Sequence, residues 1–216
     1  MDKDISSAVI RRLPRYLRYL EELMNEGFER ISSNELSKRM NVTASQIRQD
    51  LNNFGGFGTQ GYGYNVDHLH DEIAKILGLN TVHPLIIIGA GNLGQAITRY
   101  IRSGNMSFDI IGLFDIDKRL SNKSVAGRKI MMYEEMPDFL SKNRVDIAAL
   151  TIPREEALKV ASDVIRNGVK AIWNFTHTDI PVPDDVVVEN VHLSDSLMQL
   201  SYNLAEKEGA GGFKNG

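Results

Sequence analysis

No cysteine occurs in the 216 residues, which removes disulfide frameworks, Cys-ligated zinc and thiol redox switches from consideration. Any response to redox state has to run through a bound small molecule. Long apolar runs are missing too. The stretch LIIIGA at 85–90 is among the longest, far short of the roughly 20 residues a helix needs to span a bilayer. The opening MDKDISSAVIRRLPR carries charges throughout and lacks the apolar core of a secretory leader, so the expected address is the cytoplasm. Nor is there an excess of positive charge. Lys and Arg number 25 against 28 Asp and Glu, a net charge of −3, whereas nucleic-acid binders are more often basic. The distribution says more than the sum. Arg11, Arg12, Arg15 and Arg18 crowd one stretch, and Lys38, Arg39 and Arg48 follow. A solvated helix face explains that crowding equally well, so charge alone leaves the matter open. Internal repeats and low-complexity blocks are absent, and only GAGGFKNG at 209–216 reads as a disordered tail.

Two kinds of pattern fill the rest. Ile10, Leu13, Leu17, Leu20 and Met24 recur at steps of three and four, one stripe of an amphipathic helix closed by Gly27. Pro14 either sits in its first turn or kinks it. Ser32-Ser33-Asn34-Glu35 is a capping box opening a short helix through Leu36 and Met40. Asn41-Val42 makes a turn, and Thr43-Ala44-Ser45-Gln46 is a second capping box. It opens a helix with Ile47, Leu51 and Phe54 inward, ended by Gly55-Gly56. The alternating glycines and aromatics of FGTQGYGYNV at 57–66 suit a two-stranded ribbon, and a helix over 67–77 follows. Helix, helix-turn-helix, ribbon and linking helix make residues 1–80 a winged-helix DNA-binding domain. The second helix of such a motif enters the major groove, and its outward face carries Ser45, Gln46, Arg48, Gln49 and Asn52. Gln pairs adenine and Arg pairs guanine bidentately. Lys38, Arg39, Arg11 and Arg15 are placed to reach phosphates, and Gln60, Tyr62 and Tyr64 of the ribbon to lie at the minor groove. A winged helix that binds protein instead is the alternative.

After Asn80 apolar strands alternate with amphipathic helices, which implies a parallel, doubly wound sheet over 81–208 that takes in a C-terminal helix, 194–207. Gly89-Ala90-Gly91-Asn92-Leu93-Gly94 matches G-x-G-x-x-G. The motif is weak alone, but here it follows an apolar strand and opens a helix, as its mechanism requires. Gly89 permits the tight turn, Gly91 lets backbone approach a pyrophosphate, and Gly94 lets helix pack on strand. The helix N-terminus offers unpaired N–H groups to the phosphates. Asp115 ends the second strand, 21 residues beyond Gly94, where a carboxylate accepts bonds from the ribose hydroxyls and repels a 2′-phosphate. That favours NADH and NAD⁺ over NADP(H), with Asp117 a poorer substitute. Nicotinamide candidates are Thr151, Ile152 and Pro153 after the fourth strand, and Asn174 and Phe175 after the fifth. Little chain is left for a substrate domain, and His177 and His192 are the only histidines beyond the first strand of this domain. A non-enzymatic regulator is therefore expected, against an NAD-dependent oxidoreductase or a CoA-binding module as rivals.

Taken together, RRLPRYLRYLEEL, SSNELSKRMNVTASQIRQDLNNFGGFGTQGYGY, IIIGAGNLGQA, LFDID, LTIPRE, WNF and VENVHLSDSL resemble the Rex family of bacterial redox-sensing repressors. The resemblance implies a homodimer on a palindromic operator, bound while NADH is low and released by NADH. It also implies a last helix that crosses to the partner, Tyr100 near the nicotinamide, and Arg18 at the joint between the domains. Some relatives carry aspartate where His192 stands and lysine where Gln49 stands, which marks His192 as a departure in a switch with Arg18.

Overall fold

The computed structural model describes residues 5–55, 57–59, 62–104 and 107–209. The chain divides into two compact units that meet between Thr81 and Val82.

The first unit begins with a short helix α1 (Ser7–Ile10) and continues with α2 (Leu13–Asn25). Pro14 lies in the first turn of α2, where its missing N–H has no intrahelical partner to lose. The buried stripe of α2 is Leu13, Tyr16, Leu20 and Leu23, while Leu17 is half-buried and Ile10 and Met24 are exposed. The inward face is thus rotated from the purely aliphatic one, because Tyr16 finds a buried hydrogen-bond acceptor. Strand β1 (Arg30–Ile31) leads to α3 (Ser33–Met40), whose capping box is complete: Glu35 N–H donates to Ser32 Oγ at 3.1 Å and Ser32 N–H to the Glu35 carboxylate at 2.9 Å. In α4 (Ala44–Asn52) the box is only half made. Thr43 Oγ1 accepts from Gln46 N–H at 3.1 Å, but the Gln46 amide turns instead to Asp50 at 2.7 Å.

Strands β2 (Gly58–Thr59) and β3 (Gly63–Asn65) form the ribbon, and β1 pairs with the other edge of β3. Glycine is required at 63: φ is +71°, and a Cβ there would lie 2.5 Å from the Ile31 carbonyl oxygen. Asn65 caps α5 (Val66–Ile76) by accepting from His68 N–H at 2.8 Å. Leu13, Leu20, Leu36, Ile47, Leu51 and Ile73 fill the core of the unit, each contributing about 1.5–3 kcal/mol by leaving water.

The second unit runs β4 (His83–Ile88), α6 (Asn92–Ser103), β5 (Phe108–Asp115), β6 (Ser124–Val125), β7 (Arg128–Met132), α7 (Met136–Lys142), β8 (Ile147–Leu150), α8 (Ala157–Arg166), β9 (Ala171–Asn174), β10 (Val187–Asn190) and α9 (Leu193–Gly209). Short 3₁₀ turns at Tyr133–Glu135 and Arg154–Glu156 precede α7 and α8. Among the described residues the sheet has the order β10-β9-β8-β4-β5-β7-β6. It is the expected parallel, doubly wound sheet, with the short β6 added antiparallel to β7 at one edge. Residues 85–88 are all buried, with Leu85 and Ile87 in one core and Ile86 and Ile88 in the other, as a sheet covered on both faces demands. The chain moves outward through β5 and β7, then returns to the other side of β4 through β8. The reversal between β4 and β8 is a topological switch point, and a crevice opens at the carboxyl ends of those strands. Apart from Gly209, the tail at 209–216 lies outside the described residues.

Candidate functional site

The glycine turn sits in that crevice, and its three glycines answer to different constraints. Gly89 has φ +99°, and a Cβ on it would lie 2.4 Å from the Thr151 carbonyl oxygen. A Cβ on Gly94 would lie 2.0 Å from the Gly89 carbonyl oxygen and 2.8 Å from Thr151 Oγ1. Gly91 faces open space, with nothing within 4 Å of where its Cβ would be. Two bonds fix the turn to the sheet: Gly89 N–H donates to the Phe114 carbonyl at 2.8 Å, and Thr151 Oγ1 donates to the Gly89 carbonyl at 2.7 Å. No side chain caps α6, so its first N–H groups and its dipole are presented to whatever enters the crevice. Ala90 is buried, whereas Asn92 and Leu93 are exposed.

Asp115 reaches back to this turn. Its Oδ2 accepts from Ala90 N–H at 2.6 Å and its Oδ1 from Asp117 N–H at 2.8 Å. Asp117 is instead paired with Arg119 at 2.8 Å. Gly89, Gly91, Asp115, Thr151, Ile152 and Pro153 line one cavity of about 410 Å³. Tyr133 and Lys159 line it as well, and neither was singled out from sequence. The signal for Tyr133 is its place directly after β7, at the carboxyl end of the sheet. Its hydroxyl donates to Asp163 at 2.7 Å, and burial, then that bond, pushes the phenol pKa up.

Three expected cofactor residues lie elsewhere. Asn174 is fully buried and spends its amide on the Thr178 carbonyl and Asn190, both at 2.7 Å, while its oxygen accepts from Thr176. It therefore ties the loop after β9 to the end of β10 and has no group left for a ligand. Phe175 packs edge-on against Trp173 at 4.6 Å between centroids. Tyr100 is eight residues beyond Asn92, about 12 Å along α6. It lines a different, apolar cavity of about 430 Å³ with Leu85, Ile101, Phe108, Trp173 and Val187. Within one chain it is not beside the glycine turn. His192 faces His177, with the two Nδ1 atoms 3.3 Å apart. Arg18 is exposed, its guanidinium 5.6 Å from the Tyr19 ring centroid.

On the first unit, α4 turns Ser45, Arg48, Gln49 and Asn52 to solvent. Arg48 donates to Ser33 Oγ at 2.9 Å, bridging α4 to the start of α3. Lys38 and Arg11 are exposed. Arg39 forms a two-pronged pair with Glu26, at 2.9 and 2.7 Å, and Arg15 donates to the Met40 carbonyl. Both therefore meet a protein acceptor before any phosphate. In the ribbon Tyr62 is 71% exposed, but Tyr64 is 8% exposed. It packs into the core between the strand and the helices, which corrects its placement at a groove. Gln60 lies outside the described residues.

Sequence reasoning missed the most connected group of this unit. Asp50 is fully buried, and its carboxylate accepts from Arg12 twice at 2.7 Å, from Tyr16 at 2.9 Å and from Gln46 at 2.7 Å. An aspartate between Ile47 and Leu51 on the apolar side of a helix was the available signal. Burial pushes this carboxyl up, but the bonds from Arg12, Gln46 and Tyr16 overcome it and hold its pKa below the ordinary carboxylate value. Such a group stabilises the fold above the ordinary carboxylate range, and that contribution is lost as pH falls through its depressed folded value. Thermal melts of wild type should therefore lose stability on the acid side. Asp50→Asn is expected to lower the neutral-pH midpoint and to flatten that acid slope; an unchanged slope would show that Asp50 does not carry it.

Among the described residues no cluster of three or more His, Asp or Glu is placed to hold a metal, and no helix is long and apolar enough to cross a membrane. Residues 4–52 match the family described as "Putative DNA-binding protein N-terminus", and residues 80–178 match the family described as "CoA binding domain". A redox-sensing transcriptional repressor Rex of a Thermoanaerobacter species is 56% identical over 204 residues, covering 94% of this chain and 91% of the relative. The repressor Rex of Caldicellulosiruptor saccharolyticus is 55% identical, covering 95% and 94%. Two crystal structures of RSP, a Rex-family repressor, align over nearly the whole chain. RSP with beta-NADH has a TM-score of 0.89 at 52% identity, covering 98% of this chain and 100% of that one. RSP with beta-NAD+ and operator DNA has a TM-score of 0.86 at 53% identity, with the same coverage. A winged helix and a glycine-turn crevice on one chain, with this identity along nearly all of its length, have one meaning: the chain belongs to the Rex family of redox-sensing transcriptional repressors.

Proposed function

We propose that this protein is a cytoplasmic, NADH-responsive repressor that binds a palindromic operator as a homodimer while NADH is low and leaves it when NADH rises. It is a regulator and not an enzyme. Residues 1–80 read the operator, and residues 81–208 hold the dinucleotide and include the dimerisation helix. The observation that carries the reading is the pairing of two sites on one chain: the open face of Gly91 at an uncapped helix start, and the polar outward face of α4. RSP, the relative solved both with NADH and with NAD+ and operator DNA, supports the same pairing.

In this reading the pyrophosphate rests on the α6 N-terminus and Asp115 receives the ribose hydroxyls while repelling a 2′-phosphate. Thr151, Ile152 and Pro153 wall the ligand on the β8 side. Helix α9 supports the dimer, since Leu193, Leu197, Leu200 and Leu204 stand exposed on it, an apolar surface that water disfavours and a partner chain covers. A ligand moves such a system only through its differential affinity for two states. A hundredfold preference of NADH for the released form supplies about 2.7 kcal/mol.

Binding of the purified dimer to a labelled palindromic operator, with NADH, NAD⁺ or CoA added in turn at fixed salt, tests this. NADH is expected to weaken operator binding by about a hundredfold, NAD⁺ to counter that effect, and CoA to do neither. Equal operator affinity with and without saturating NADH would refute the coupling, and release by CoA alone would favour the reading that the second family match suggests.

A further inference from the structure

Arg12 stands at the junction of α1 and α2, between Arg11 and Arg15, while Asp50 is on the inward side of α4. Sequence separates them by 38 residues, yet the Arg12 guanidinium grips both oxygens of the Asp50 carboxylate at 2.7 Å. Tyr16 and Gln46 take the two acceptor directions that remain, so a group with about four lone-pair sites is fully used. A bidentate fork fixes direction as well as distance.

Stability alone is a poor reason for this arrangement. A buried ion pair repays its own desolvation only partly, and apolar residues of similar volume often serve as well or better. Leu13, Leu20, Ile47 and Leu51 already fill the surrounding core. What apolar packing lacks is angular definition, and base readout depends on it, because hydrogen bonds weaken steeply as their angle opens.

We infer that Asp50 is a positioning residue: through Arg12 and Tyr16 it locks the base-reading helix to the arginine-bearing N-terminal segment. Phosphate contacts from Arg11 on one side and base contacts from Arg48 and Gln49 on the other then arrive in one fixed register. Phosphate contacts orient a protein on DNA and base contacts select the sequence, so the clamp acts on selectivity. Gln46 gains a second role here. One of its two amide N–H groups is committed to Asp50 within the same helix, so it holds the carboxylate in place for Arg12 and Tyr16.

The inference rests on the operator-binding reading, and its test separates the two. Full-length wild type, Asp50→Asn and the apolar triple variant Arg12→Met/Tyr16→Phe/Asp50→Leu are compared for melting temperature, NADH affinity, and affinity for operator and for unrelated duplex DNA at one salt concentration. For the triple variant we expect a melting temperature at or above wild type, NADH and non-specific DNA binding within twofold, and a ratio of operator to non-specific affinity at least tenfold lower. Asp50→Asn should lose that ratio similarly, with a lower melting temperature. A triple variant that keeps the wild-type ratio overturns the inference. So does Asp50→Asn weakening both DNAs in parallel with its loss of stability, the pattern of a merely structural contact. A wild-type protein with no operator preference would instead bring down the operator-binding reading, and this inference with it.

Discussion

Gly91→Val is expected to leave the fold intact and abolish NADH binding, whereas Gly94→Ala should destabilise the second unit before any ligand is added. The two positions lie three residues apart in one motif, yet their surroundings are opposite. Gly91 has φ −70° and ψ −167°, extended backbone that valine adopts without strain, and its Cβ would meet nothing within 4 Å. The change in stability should stay within about 0.5 kcal/mol, as for other substitutions at unoccupied surface. The same branched side chain then stands where a pyrophosphate must approach backbone N–H groups. NADH affinity is expected to fall by more than a hundredfold, a loss of at least about 2.7 kcal/mol. The variant should hold its operator whatever the NADH concentration.

At Gly94 the added methyl would lie 2.0 Å from the Gly89 carbonyl oxygen and 2.8 Å from Thr151 Oγ1. The obstructing carbonyl is backbone, held by the Thr151 hydroxyl while the Gly89 N–H ties the same residue to the Phe114 carbonyl, so α6 must move away from the turn. Overpacking of this kind costs about 1–3 kcal/mol. Thermal melts and NADH fluorescence titrations of both variants read these effects separately. A Gly91→Val protein that binds NADH like wild type would take the pyrophosphate off this turn.

The contrast also marks how far local sequence carried the structure. The G-x-G-x-x-G turn, the Ser32 capping box and the alternation of strands with helices were legible because each is decided within a few residues. Asp115 was legible as a strand-end carboxylate, though not as an acceptor for Ala90 N–H, since that bond needs the turn and β5 side by side. The readings that changed depend on distant partners. Tyr16 displaced Leu17 from the centre of the buried stripe because Asp50, 34 residues away, accepts its hydroxyl proton. Gln46 left a capping box for the same carboxylate, which competes with the Thr43 N–H. Tyr64 and Asn174 looked like presented groups from their residue types, and both are consumed by packing or by hydrogen bonds inside the fold. Strands as short as β1 and β6 carry too few residues for any period to register.

Deletion of residues 193–216 is expected to convert the protein to a monomer and to weaken operator binding more than a hundredfold, while NADH binding to the glycine turn survives. Leu193, Leu197, Leu200 and Leu204 follow one another at steps of four, three and four, the spacing of a seam along which one helix packs against another. All four are exposed in the single chain, Leu197 at 67% and Leu200 at 62%. In a globular fold such a stripe is normally covered, and under the proposed function a second copy covers it, each protomer contributing the same helix to the other. A palindrome is read by two winged helices held at a fixed spacing. Separate monomers lose the effective concentration that makes the second half-site contact intramolecular, a factor of about 10²–10⁴. The charge substitution Leu197→Asp/Leu200→Asp tests the same seam without shortening the chain, because two carboxylates cannot be buried unpaired at the contact. Sedimentation gives the oligomeric state, and titration of operator against a single half-site gives the loss of affinity. A deleted or doubly charged protein that stayed dimeric, with operator affinity unchanged, would place the dimer contact elsewhere and leave the apolar stripe of α9 without an occupant.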